Sequence, residues 1–271
     1  MPELPEVETS LRGIRPTLNN QTISKLVVRN RKLRWPVPSG LNGKLSGQKV
    51  LSVRRRGKYL LIGVETGTVL MHLGMSGSLR VVSAATPAGK HDHVDIELAS
   101  GKSIRFNDPR RFGCLLWTSA DPLQHKLLKE LGPEPLSDEF DTDYLHALGA
   151  KRKVAIKQFI MNSNVVVGVG NIYASESLYR AGIHPARAAN RIGKARYGKL
   201  VLAIKTVLAE AIEQGGTTLR DFHGSDGKPG YFRIKLKVYD RAGEPCESCG
   251  KPLKHIVQGQ RSTYFCNSCQ R

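Results

Sequence analysis

Leu4, Val7, Leu11 and Ile14 recur at helical spacing. The pattern predicts an amphipathic helix over about residues 5–15, with Pro16 as its stop. From about residue 22 to 117 the texture changes to short runs rich in Val, Ile and Leu, broken by Gly, Asn, Ser and Pro. These runs are Thr22–Arg29, Lys49–Arg54, Tyr59–Val64, Thr68–Leu73, Ser78–Val82, His93–Leu98, Lys102–Phe106 and Phe112–Trp117. Eight short strands at close spacing predict an antiparallel sandwich or barrel. Glu65-Thr66-Gly67 and Ala99-Ser100-Gly101 end in glycine as hairpin turns often do. Leu131-Gly132-Pro133-Glu134-Pro135 is a stiff punctuator and marks a domain boundary. Beyond it the pattern is helical, over about 141–149, 152–162, 171–181 and 195–214. In the last of these Leu200, Ile204, Val207, Leu208, Ala211 and Ile212 form one apolar stripe, stopped by Gly215-Gly216. Strands followed by helices make this an α+β, multidomain chain. The segment 215–232 is rich in glycine and poor in apolar residues, and a mobile lid is the expectation for it.

Three polar clusters interrupt the strands. Arg54-Arg55-Arg56-Gly57-Lys58-Tyr59 places a close-approach glycine and Lys58 at a sheet rim. In His72-Leu73-Gly74-Met75-Ser76-Gly77, Met75 sits between glycines, where an apolar side chain on a loop tip can wedge into a base stack. Asp108-Pro109-Arg110-Arg111-Phe112-Gly113 sets an aromatic beside two bases, which suits stacking on an exposed base. His91-Asp92-His93 lacks a third ligand at metal spacing, so phosphate contact or plain surface placement is expected of it. Val167-Gly168-Val169-Gly170-Asn171 leads into a helix. Its glycines let backbone N–H groups approach a phosphate, and Asn171 can cap the helix or donate to the anion.

Charge narrows the partner. The 271 residues hold 42 Lys and Arg against 23 Asp and Glu, a net charge of +19. Such an excess implies a polyanion, most often nucleic acid. No stretch approaches the roughly 18 apolar residues of a spanning helix, and no membrane partner is expected. Glu3, Glu6 and Glu8 precede the first base, Arg12, the reverse of a secretory signal. A reducing, cytosolic location is therefore expected, and a disulfide framework is not. Cys246-x-x-Cys249 and Cys266-x-x-Cys269, sixteen residues apart, then read as one structural zinc site. Four thiolates close the shell, so the zinc is not catalytic. A ribbon tipped by Arg261 suits phosphate. Cys114 is left over as a small buried hydrophobe.

The first eight residues, Met-Pro-Glu-Leu-Pro-Glu-Val-Glu, carry the candidate chemistry. With Met1 removed, Pro2 is a secondary amine able to form an iminium with an electrophilic carbon. An α-amino group has a reference pKa of about 7.7–8.0, so part of it is unprotonated near neutrality. Glu3 and Glu6 can supply a proton donor and a counter-charge. Pro and acids here also make an ordinary helix start.

Taken together, these segments resemble the bacterial formamidopyrimidine-DNA glycosylases, along essentially the whole chain. The resemblance rests on Met1–Glu8, the Arg-Arg-Gly-Lys-Tyr run ending at Tyr59, His72–Gly77, Asp108–Gly113, Gly168–Glu176 and the cysteine ribbon with Arg261. It implies an N-terminal antiparallel β-sandwich with a leading helix over 1–132. A helix-two-turn-helix domain over 133–235 follows, with a lid at 217–232, and then a β-ribbon zinc finger over 236–271. Damaged double-stranded DNA would lie in the cleft. Pro2 is implied as the nucleophile at C1′ and Glu3 as acid/base at the deoxyribose. Lys58 and Arg261 complete the implied catalytic set, Lys58 near the lesion phosphate. His72, Asn171 and Arg261 are implied to grip phosphate, joined by Lys157 and Tyr239, with His93 in the same DNA-binding set. Met75, Arg110 and Phe112 would fill the gap left by an everted base. The implied protein is a monomer with one structural Zn2+, in the bacterial cytoplasm at the nucleoid. It would excise oxidised purines and then cleave the strand by β,δ-elimination.

Two departures from the family pattern stand out. Gln158 follows Lys157 where many relatives have Pro, and Met161-Asn162-Ser163-Asn164 replaces a Leu-Asp-Gln type segment. The competing readings are an endonuclease VIII-like glycosylase for oxidised pyrimidines, opposed by Leu4 after Glu3, and a non-catalytic zinc-ribbon nucleic-acid binder.

Overall fold

The computed structural model describes residues 2–216 and 236–271. The segment expected to form the lid lies outside them. The chain divides between Glu130 and Leu131 into two compact units, at the head of the Leu131–Pro135 stretch.

The first unit begins with α1 (Leu4–Leu18). It is longer than its pattern predicts, because Pro16 sits inside its last turn rather than ending it. The helix loses only the bond that the Pro16 nitrogen would have made. Asn19 N–H still reaches the Arg15 carbonyl at 2.9 Å, and burial of Ile14 and Leu18 rewards the extra turn. At the other end Glu3 and Glu6 form a reciprocal capping box, with Glu3 N–H donating to Glu6 Oε2 at 2.8 Å.

Eight strands follow: β1 (Ile23–Val28), β2 (Val50–Arg56), β3 (Tyr59–Val64), β4 (Gly67–His72), β5 (Ser78–Ser83), β6 (Asp92–Leu98), β7 (Lys102–Asn107) and β8 (Cys114–Thr118). A short helix, α2 (Leu41–Leu45), lies between β1 and β2. The strands pair antiparallel in two four-stranded sheets, ordered β1-β6-β7-β5 and β2-β3-β4-β8. Of the two architectures left open by the sequence, this is the sandwich. Val7, Leu11, Ile14 and Leu18 of α1 share one core with residues of both sheets, among them Leu60, Ile62, Val69, Val94, Ile96, Ile104 and Phe106.

The second unit holds α3 (Thr142–Gly149), α4 (Ile156–Ile160), α5 (Asn171–Arg180) and α6 (Lys194–Glu213), then a ribbon of β9 (Lys254–Gln258) and β10 (Arg261–Phe265). The helix expected over 152–162 shrinks to α4. Residues 152–156 instead run extended along 187–190: Ile156 N–H donates to Arg187 O at 2.8 Å and Ala189 N–H to Val154 O at 2.9 Å. Backbone bonds made to a neighbouring segment leave no reason to wind the first turn. The ribbon rests on α5, where Tyr179 packs with Val238, Leu253 and the cysteines.

Candidate nucleic-acid interface and active site

One end of the sheet β2-β3-β4-β8 gathers the first group of side chains. Arg56 pairs with Tyr59, so Gly57 and Lys58 form the two-residue turn between β2 and β3. Gly57 takes φ +56°, which the tight turn requires. Tyr59 pairs across with His72, and His72 with Cys114, which puts Lys58, His72 and the start of β8 at the same sheet end. Glu8 ties α1 to this end. Its Oε2 accepts from Arg55 Nε at 2.9 Å, and Arg55 Nη1 donates to the Gly57 carbonyl at 3.0 Å. Burial pushes the Glu8 carboxyl up, but hydrogen bonds from Arg55 and Arg12 outweigh it and hold the group below its ordinary value. Glu8 thus stays charged, and the helix α1, which follows Pro2 and Glu3, is fixed to the turn that carries Lys58.

His72 is a neutral imidazole in this setting. Burial, and then the charges of Lys58 and Arg34, bring its pKa down to about 4. Its Nδ1 accepts from Gly74 N–H at 2.9 Å, so the proton sits on Nε2. Such a ring offers phosphate one hydrogen bond and no charge.

Met75, Arg110 and Phe112 stand on two loops that are locked together. The Asp108 side chain, fully buried, accepts from Ser76 Oγ at 2.8 Å and from Gly113 N–H at 2.8 Å. Gly74 runs so close to the second loop that a Cβ there would meet Gly113 N and Phe112 C at 2.4 Å. With their backbones held, the side chains stay out: Met75 is 38% exposed and Phe112 41%. Arg110 lies over the Phe112 ring at 4.8 Å. Two large apolar groups kept in water on loops anchored to the buried Asp108 are poor folding choices and good wedges.

His93 corrects one expectation. It is buried, and its Nε2 bonds the Asp108 carbonyl at 2.9 Å. It supports the Arg110–Phe112 loop from beneath and is not placed on the surface to meet phosphate. Its neighbour Asp92 is taken up by Arg80, Asn107 and Gly89 N–H, so Asp92 and His93 are both structural.

The second unit gathers the other group. Lys157 was expected to reach phosphate itself, but it is 1% exposed. Its Nζ donates to Asn171 Oδ1 at 2.7 Å, Thr263 Oγ1 at 2.8 Å and Ser262 O at 3.0 Å. Three acceptors match the three ammonium protons. Lys157 therefore positions the start of α5 against β10. With Gln158 after Lys157, α4 starts at Ile156 and Lys157 makes these three contacts. Asn171 does not cap α5; Gly170 is the N-cap. The Asn171 amide instead donates to Ser262 O at 2.9 Å and faces the Tyr239 hydroxyl at 3.4 Å. Tyr239 is held by Glu176, whose buried carboxylate accepts from the N–H groups of Lys237, Val238 and Tyr239. Arg261 opens β10 opposite Gln258, exposed beside the turn Gly259-Gln260.

The four ribbon cysteines bring their Sγ atoms within 4.8 Å of one another, with Cys246 and Cys269 at 3.9 Å and Cys249 and Cys266 at 3.5 Å. A tetrahedral ion with bonds of about 2.3 Å needs sulfur edges of about 3.8 Å. The residues fit one zinc ion with no open position. Cys114 is fully buried in the sandwich.

Three family models cover the chain in order. The formamidopyrimidine-DNA glycosylase N-terminal domain matches residues 1–115, the H2TH domain of the same enzymes 131–223, and a zinc finger found in FPG and IleRS 243–271. The chain belongs to the formamidopyrimidine-DNA glycosylase family. It is 59% identical to the family's enzyme from Pseudomonas putida and 60% identical to that from Pseudomonas entomophila, over 271 residues and the full length of each. Among solved structures it is similar to MutM (Fpg) of Thermus thermophilus, with a TM-score of 0.89 and 37% identity over 99% of this chain and 98% of that one. It is also similar to Lactococcus lactis Fpg in complex with DNA containing N7-benzyl-Fapy-dG, with a TM-score of 0.91 and 32% identity over all of both chains. Family membership does not favour the reading of a non-catalytic zinc-ribbon nucleic-acid binder.

Sequence reasoning missed the supports. Asp108, Ser76, Glu176 and the Glu8–Arg55 pair all orient other groups. Of these only Ser76, a small polar residue beside Gly77, carries a visible signal, since backbone N–H groups of a glycine turn need acceptors.

Proposed function

We propose that the chain is a bifunctional DNA glycosylase and apurinic-site lyase of base excision repair. It acts as a monomer on oxidised purines such as 8-oxoguanine and formamidopyrimidines, in the bacterial cytoplasm where the nucleoid lies. The observation that carries this reading is the locked pair of loops presenting Met75, Arg110 and Phe112. A glycosylase must evert its target nucleotide at a cost of a few kcal/mol, and the hole needs filling. Two apolar groups and a guanidinium at one loop pair suit that task.

The proposed chemistry starts at Pro2, whose nitrogen becomes a free secondary amine when Met1 is removed. Its nitrogen attacks C1′ of the damaged nucleotide, the glycosidic bond breaks, and the base leaves with the proton that the proline nitrogen gives up. Glu3 in its protonated form then protonates O4′ as the C1′–O4′ bond opens, and the covalent intermediate becomes an iminium. The iminium acidifies C2′–H. Loss of that proton expels the 3′-phosphate, and a second elimination expels the 5′-phosphate. Lys58 stands near the lesion phosphate. The neutral His72, Asn171, Tyr239 and Arg261 grip the backbone, and Lys157 holds Asn171 in place. Zinc supplies only the fold of the ribbon that carries Arg261.

Release from duplexes holding 8-oxoguanine opposite cytosine or thymine glycol opposite adenine tests the substrate class. The expected outcome is faster release of 8-oxoguanine. A preference for thymine glycol would favour the endonuclease VIII-like reading.

A further inference from the structure

Residues 144–209 hold eleven Lys and Arg and a single acid, Glu176. That acid is buried and bonded to three backbone N–H groups, so it offers the surface no counter-charge. The bases are not spread evenly. The extended pairing of 152–156 with 187–190 brings Lys151, Arg152 and Lys153 beside Arg187 and Arg191. Arg187, Arg191 and His184 line a shallow concavity of about 350 Å3. Among the described residues none of the five cations forms an ion pair, and Arg187 Nε is buried with no hydrogen-bond partner. Burial, and then the Arg187 charge, hold even Arg196 below its ordinary value. A basic run is usually just a solvated face, but five cations that form no ion pair repel one another.

The patch also continues the phosphate-facing surface of the same unit. Lys157 N–H bonds Pro185 O at 3.2 Å, and Gln258, which pairs with Arg261, reaches the same carbonyl at 3.5 Å. A groove lined by Gln158, Asn162, Gln258 and Arg261 adjoins that point. The cations therefore form one track leading from Arg261 past Pro185 to Arg187 and Arg191.

We propose that this ridge binds the phosphates of undamaged duplex flanking the lesion, as an outlying, sequence-independent extension of the DNA interface. The proposal rests on the glycosylase reading for its partner but adds residues and a length of duplex to it. Each neutralised phosphate contributes about 0.9 to the slope of log affinity against log salt.

The test compares two lesion duplexes, of about 13 and about 35 base pairs, by fluorescence anisotropy across a salt series. Two variants are used: Arg152→Ala/Arg187→Ala/Arg191→Ala, and Lys151→Ala/Lys153→Ala/Arg191→Ala, which alters only exposed side chains. Each should bind the long duplex about tenfold more weakly near 0.1 M salt, with a slope shallower by about 2–3. Each should bind the short duplex within about twofold of the parent. Equal loss on both lengths would place these residues in the lesion interface and overturn the extension. Unchanged long-duplex binding and slope would overturn it as well, and polyglutamate bound as tightly as DNA would make the ridge a site for acidic protein. Borohydride trapping on the short duplex is the separate control: no adduct with the parent protein would fail the glycosylase reading, whatever the length effect.

Discussion

The two units carry the side chains proposed to meet DNA on opposite constructions. In the first, the side chains proposed to enter the duplex are left in water, and the order lies beneath them in Asp108, Ser76, His93 and the close approach at Gly74. In the second, the order lies in the polar side chains themselves. Lys157, Asn171 and Ser262 saturate one another, and Arg261 is carried at the edge. A wedge must be ready to leave water, so it is exposed and apolar. A phosphate cradle must not rearrange when charge arrives, so its donors are fixed in advance. Damage to the first unit should therefore appear in chemistry with little loss of stability, and damage to the second in stability and binding together.

Zinc removal should produce the largest effect. Without the ion the ribbon loses its frame, Arg261 loses its place and Lys157 loses two of its three acceptors. DNA affinity measured by anisotropy after chelation should fall by about 100-fold or more, because the site's binding energy is also folding energy. Retained affinity in zinc-free protein would contradict the coupling.

Lys157→Met comes next. It keeps the volume and leaves Asn171 Oδ1, Ser262 O and Thr263 Oγ1 to find other partners. A cost of about 3 kcal/mol is expected in denaturant unfolding of the second unit, with weaker DNA binding alongside. Weaker binding at full stability would mean that Lys157 contacts phosphate directly.

Met75→Ala with Phe112→Ala should break the comparison from the other side. Both side chains are exposed, so unfolding should shift by no more than about 0.5 kcal/mol. Base release from duplex should fall about tenfold or more, and strand cleavage at a ready-made abasic site should fall less, since eversion is the step impaired. Equal losses on both substrates would remove the pair from the wedge.

The smallest effect on DNA binding separates Arg261 from His72. Arg261→Ala should make the salt slope shallower by about 0.9, while His72→Gln should leave it unchanged because the imidazole is already neutral. His72 has a second signature. Its folded pKa of about 4 lies below the ordinary 6.5, so the unfolded chain takes up the proton first. Stability should fall as pH drops from 6.5 towards 4, by up to about 3 kcal/mol, and His72→Gln should remove that component.

The sequence made the exposed half of this design legible and hid the rest. Met75 and Phe112 stood out because apolar residues between glycines or beside arginines break the pattern of a soluble loop. The cysteine pairs were legible because their spacing encodes tetrahedral geometry. Strand boundaries held to within a few residues, since alternation and glycine turns act locally. Helix ends did less well where tertiary bonds intervened. Pro16 was absorbed because Leu18 had a core to enter, and the turn before Ile156 was lost to pairing with Arg187. Lys157 and His93 were misplaced for one reason. A cation or imidazole in a DNA-binding chain reads as a contact, and only three-dimensional partners reveal it as a brace. Glu8, Asp108 and Glu176 were silent in the same way.

The covalent bond proposed between Pro2 and the damaged sugar is read directly by borohydride trapping on a duplex with one 8-oxoguanine opposite cytosine, followed by mass spectrometry of the cross-linked peptide. A reduced adduct on the Pro2 nitrogen of chains lacking Met1 is expected. Tight DNA binding with no adduct, or an adduct on a lysine such as Lys58, would contradict it.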